Sequence, residues 1–144
     1  MASPDEPMGI RELDEMFVRI GNIPFEVTAD ALKAMAEVAM DKIRAQGESM
    51  GVRDPESDVH VLDKIKLSGK PRQTTIGGYQ NITFGGSRIR NGKKTRNAEI
   101  AFINEYGKRG VPARSFIRTA LHRDETAICA PGIKILNEWF EKQS

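Results

Sequence analysis

Residues 98–121 read AEIAFINEYGKRGVPARSFIRTAL. The stretch opens with Ile100, Phe102 and Ile103, and an apolar run this short fits either a buried strand or the start of a helix. Gly107 and Gly110, with Lys108 and Arg109 between them, then break the pattern as a turn does. Pro112 has no N–H to donate and disfavours helix at Val111, so a new element is expected near Ala113 or Ser115. Phe116, Ile117, Ala120 and Leu121 fall on one face of that helix, and Arg114, Arg118 and His122 on the other. None of this is a catalytic arrangement. It reads as a docking element.

On the N-terminal side, residues 1–8 hold Pro4 and Pro7 among small and acidic residues and read as a flexible arm. A single domain over residues 9–144 follows, since 144 residues build one core but not two. Ile10, Leu13, Met16, Phe17 and Ile20 have helical spacing, and Gly21 and Pro24 end that helix. Leu32, Met35, Ala36, Ala39, Met40 and Ile43 show the cleanest periodicity in the chain. They predict a helix from Ala29 to about Gln46, with Thr28 as its N-cap and a Lys33–Glu37 pair on the wet side. Val59, Val61, Leu62 and Ile65 fit a helical turn leading into a strand, and residues 67–75 read as exposed and polar. Ile76, Tyr79, Ile82 and Phe84, punctuated by paired glycines, predict a hairpin or two short strands with bends or bulges at the glycines.

The segment from Ser87 to Asn97 carries Arg88, Arg90, Lys93, Lys94 and Arg96 around Asn91-Gly92, and reads as a basic loop joining strands. Toward the C-terminus, Ile133, Leu136, Trp139 and Phe140 give an apolar helical face between Ala127 and Phe140. Pro131 is expected to kink that helix or to start a new one. Helices at both ends with a small antiparallel sheet between them make an α+β domain with long basic loops.

The formal net charge of +2 conceals an asymmetry. Residues 1–63 hold 14 acidic and 6 basic side chains, whereas residues 64–144 hold 6 acidic and 16 basic. A molecule so polarised binds nucleic acid with one face or meets a copy of itself acid-to-base. The single cysteine, Cys129, allows no intrachain disulfide, and its apolar neighbours mark it as structural; synthesis in a reducing cytosol is expected. No apolar run approaches the length of about 20 residues that a membrane helix needs, and the N-terminus lacks the features of a secretory signal.

The usual chemistries find no support. His60 and His122 have no companions at metal-ligand spacing. Gly69-Lys70 is followed by Pro71, and Gly92-Lys93 by Lys94, where a phosphate-binding loop requires Ser or Thr. No nucleophile–base constellation is visible, and no cofactor is implied. Asp14-Glu15 and Asp124-Glu125 read as solvated surface. Near the basic loop only Tyr79 offers an aromatic ring, so the loop suits contact with phosphates or an acidic protein surface better than base reading.

The run from Ile100 to Leu121 also resembles the tail-component family of long-tailed bacteriophages, the tail-completion, neck or head–tail joining proteins. The matching residues are Glu105, Tyr106, Gly107, Ala113, Arg114, Phe116, Ile117 and Ala120, with Lys108 and Ser115 as departures where relatives often carry Thr and Pro. The resemblance implies an α+β subunit without catalytic activity, found in the virion and assembled with itself as a ring, sixfold like the tail. Neighbouring neck, connector or tail-tube proteins are its expected partners, with packaged DNA a non-specific one. In such a ring Arg88, Arg90, Lys93, Lys94, Arg96, Arg114 and Arg118 are the candidate subunit or DNA-channel contacts. The competing expectation is a small non-catalytic DNA-binding regulator that uses the basic C-terminal half on phosphates.

Overall fold

The strongest apolar periodicity becomes the longest helix. In the computed structural model, residues 22–52, 60–75, 77–90 and 92–143 are described. The expected arm at residues 1–8 and helix at residues 9–20 lie outside them, as do Val59 and Ile76. Helix α1 spans Phe25–Ser49, starting about one turn before the expected Thr28 cap and running past Gln46. Pro24 occupies the cap position, where a residue without an N–H costs nothing. The early start brings Phe25 and Leu32 against Gly78 of the neighbouring strand. Ala36, Ala39 and Ile43 are buried as the spacing requires, together with Ala31, Gln46 and Gly47. Lys33 and Glu37 share the exposed side, but no ion pair joins them.

A 3-10 turn at Val61–Lys64 then leads into strand β1, Ile65–Thr74, which pairs antiparallel with β2, Gly77–Phe84. The polar segment expected to be merely exposed is therefore a strand. Its pattern hides this because most of its side chains face solvent. The register breaks between Ser68 and Arg72, at Gly69-Lys70-Pro71, so the bulge lies opposite the strand whose paired glycines were expected to form it. Proline belongs there, since a bulge residue gives up its ladder hydrogen bond.

The basic segment is the clearest correction. Ser87–Arg90 and Lys93–Arg96 are strands β3 and β4 of a second, separate antiparallel hairpin, and the loop shrinks to its tip around Gly92. Gly92 has φ +74, the left-handed conformation such a tight turn uses.

The stretch from Ala98 to Leu121 contributes to helix α2, Asn97–Tyr106, a turn closed by a Lys108–Val111 bridge, and helix α3, Phe116–Arg123. Helix, not strand, is thus the outcome at Ile100–Ile103. Helix α4, Glu125–Lys142, follows almost directly. Pro131 lies inside it without starting a new helix. The carbonyl of Ala127 loses its helical N–H donor there, at an exposed residue. Gly132 next to it is buried: a Cβ would stand 2.6 Å from the Met35 sulfur of α1, so the Met35 side chain would have to shift to admit one. Packing against α1 is what holds α4 through its proline.

The core gathers where these elements converge on the C-terminal half of α1. Ile43, Val52, Val61, Leu62, Ile65, Phe84, Ile100, Ala101, Phe116 and Ala120 form one buried cluster. The Phe84 and Phe116 rings meet edge to face at 6.1 Å, joining the first hairpin to α3. Helices around small antiparallel sheets make the expected α+β fold. Among the described residues no helix is long and apolar enough to cross a membrane.

Candidate interface elements

Glu105 and the first turn of α3, separated in sequence by the glycine turn, meet in space, and the turn is shaped to let them. Gly107 has φ +75, and a Cβ there would lie 2.8 Å from both the Val111 oxygen and the Ala113 nitrogen. An L-residue fits neither the dihedral nor the space. Gly107→Ala is expected to cost at least about 1–3 kcal/mol of stability, measured by urea denaturation.

The turn delivers Glu105, at the end of α2, to the start of α3. Its buried carboxylate accepts the N–H groups of Ile117 at 2.7 Å and Arg118 at 3.0 Å. These are first-turn donors that no preceding helical carbonyl can reach. The Arg118 side chain adds a contact from Nε to Glu105 Oε1 at 2.9 Å, and its Nη2 reaches the Glu105 carbonyl and the Ser115 hydroxyl. The Ser115 hydroxyl in turn donates to the Glu105 carbonyl. A carboxylate from one helix thus caps another, with favourable charge at the positive end of the α3 dipole.

The guanidinium of Arg118 also lies 4.8 Å from the centre of the Tyr106 ring, and Tyr106 packs against Phe102. Arg114 donates to the Gly51 carbonyl at the end of α1. Both arginines read in the sequence as contact residues therefore have partners within the chain. Glu105, Gly107, Ser115, Ile117 and Arg118 form the joint between α2 and α3, and Phe116 at the start of α3 is buried in the core cluster. Tyr106 and Phe102 remain more than half exposed on its outer side.

The second hairpin is fastened at its root by a residue the sequence did not single out. Asn97, at the start of α2, is buried; it donates to the Gly85 carbonyl and accepts from Arg88 Nε, both at 2.8 Å. Its cue was position alone, a polar residue bounding the basic segment. Arg88 is thereby turned toward the body. Across the ladder Ile89 stands opposite Lys94, Ser87 opposite Arg96, and Arg90 opposite Lys93. Alternation places Ile89, Lys94 and Arg96 on the side away from Arg88. Lys93, Lys94 and Arg96 are exposed and make no ion pair among the described residues, and Ile89 is 77% exposed. Of the cations expected to make contacts, Arg88, Arg114 and Arg118 are therefore held internally, whereas Lys93, Lys94 and Arg96 stand free; the Arg90 side chain lies outside the described ones.

An open groove of ≈ 410 Å³ at the hairpin root is lined by Lys66, Ser68, Gly86, Ser87 and Arg96. Among the described residues no three His, Cys, Asp or Glu side chains converge to hold a metal ion. His60 is half-buried, His122 exposed and Cys129 half-buried and unpaired. What the arrangement offers is a rigid body with a cationic hairpin fixed to it. Comparison of the chain with protein-family models, curated proteins and solved structures finds no match.

Proposed function

We propose that this chain is a structural subunit of a tailed phage or prophage particle, a ring-forming tail-completion or neck component that joins head and tail. It performs no catalysis and needs no cofactor. Copies of itself are its first partners, six in number if the ring follows the symmetry of the tail; neighbouring neck, connector or tail-tube proteins are the next. The observation that carries the reading is the joint built on Glu105. Of the residues bearing the family resemblance, Glu105 accepts from the Ile117 N–H and Gly107 makes the turn between them, which fits a motif selected for shape and not for chemistry. At the other end of α2 the free cations of β3–β4 supply an element for contact with an acidic surface or with DNA in a channel.

The hairpin also favours a second reading, a DNA-binding regulator whose phosphate contacts act in the monomer. Light scattering coupled to size-exclusion chromatography, at low and high salt with a parallel run on duplex DNA, separates the two. The virion component is expected to run as a ring-sized species, or to assemble on adding connector or tail-tube proteins, with little affinity for DNA beforehand. A monomer that shifts onto DNA at low salt, and loses it steeply as salt rises, overturns the proposal in favour of the regulator.

A further inference from the structure

Helix α1 shows solvent a face with its own pattern. Glu26, Asp30, Glu37 and Asp41 recur at i, i+4, i+11 and i+15, which aligns them in one exposed stripe interrupted by Lys33. Asp41 pairs with Arg44 at 3.2 Å. Glu26, Asp30 and Glu37 make no ion pair among the described residues. Beside the stripe run Val27, Ala34 and Val38, half-buried, and Ala45, exposed: a ledge of small apolar side chains along the same helix. The hairpin has the converse pattern, one apolar residue with cations beside it.

We infer that the outward side of the β3–β4 hairpin of one copy seats on this face of α1 in a second copy. The inference rests on the ring reading above and names the contact that would build the ring. Ile89 lies on the ledge formed by Ala34, Val38 and Ala45, while Lys94 and Arg96 meet Asp30 and Glu37. An apolar anchor between charged neighbours is the usual anatomy of a protein contact. Dimensions agree. Asp30 and Glu37 lie about 10 Å apart along the helix, and a four-residue strand is about 10 Å long. Hairpin and α1 face are different surfaces, so the contact is head-to-tail, and copies joined this way close into a ring when the rotation permits.

The test uses two full-length variants, Lys94→Glu/Arg96→Glu and Asp30→Lys/Glu37→Lys. All four positions are exposed, so circular dichroism is expected to show both folded. Each variant alone opposes like charges across the contact and is expected to raise the concentration needed for assembly by about tenfold or more. Mixing the two, or combining all four changes in one chain, restores opposite charges and is expected to restore assembly. If the wild type forms rings and both single-surface variants assemble as well as it does, the inference is overturned and the ring reading stands. Failure of the mixture and of the combined chain to recover also overturns it. A wild type that stays monomeric at every concentration and salt, also with connector or tail-tube proteins added, overturns both.

Discussion

Phe116→Ala is expected to lower the free energy of unfolding by about 3–5 kcal/mol, more than any other single truncation in the core. The side chain is fully buried, and its ring is the edge-to-face partner of Phe84. Truncation forfeits the transfer energy of the ring and leaves a cavity between α1, α3 and the first hairpin. That cavity cannot collapse cheaply because Leu62 and Ala120 are themselves fixed in the cluster. At a urea slope of about 2 kcal/mol/M, the midpoint falls by about 1.5–2.5 M. Phe116→Leu keeps much of the volume and is expected to cost less, about 1–2 kcal/mol, which keeps the comparison readable if the alanine variant does not fold. A cost below about 1 kcal/mol for the alanine variant contradicts the central position given to this residue.

Glu105→Ala is expected to cost about 2–4 kcal/mol through a different mechanism. It removes the acceptor for two first-turn N–H groups of α3 and the partner of Arg118. The backbone donors dominate, because Arg118 is 58% exposed in its side chain and an ion pair so open to water contributes little. Glu105→Gln keeps one acceptor oxygen and is expected to lose about half as much, while Arg118→Ala is expected to lose about 0.5–1 kcal/mol. Thermal unfolding of the three variants therefore ranks alanine at 105 first, glutamine at 105 second and alanine at 118 last. Should Arg118→Ala prove as costly as Glu105→Ala, the joint is held by the ion pair and the capping account is wrong.

These two residues also mark how far the sequence could be read. Phe116 was legible as core, because its partners Ile117 and Ala120 repeat at helical spacing and apolar residues at that spacing have to be covered. Glu105 was legible only as part of a resemblance. Its use depends on a turn that folds α2 back toward α3, and no local pattern announces that a carboxylate will cap a helix beginning 11 positions later. Arg114 and Arg118 read as an outward basic face for the same reason: spacing gives the face of a helix, but the neighbouring backbone decides what that face meets.

By itself the sequence determined the elements whose side chains must leave water on one side. The 3.6-residue repeat specified α1, the mixture of helices with short strands specified α+β, and the turn glycines specified where the chain reverses. Tertiary structure alone decided that residues 65–74 and the basic segment are strands, whose polar faces carry no burial pattern and whose stability comes from partners across the ladder. It also decided the continuity of α4 through Pro131, where the helix, packed on α1 at Gly132 and Met35, continues despite a lost backbone hydrogen bond. Local periodicity records the hydrophobic effect, which is non-directional. The capping of α3 by Glu105 and the fastening of the hairpin by Asn97 rest on directional hydrogen bonds between residues far apart in sequence, and those exist only once the chain has folded.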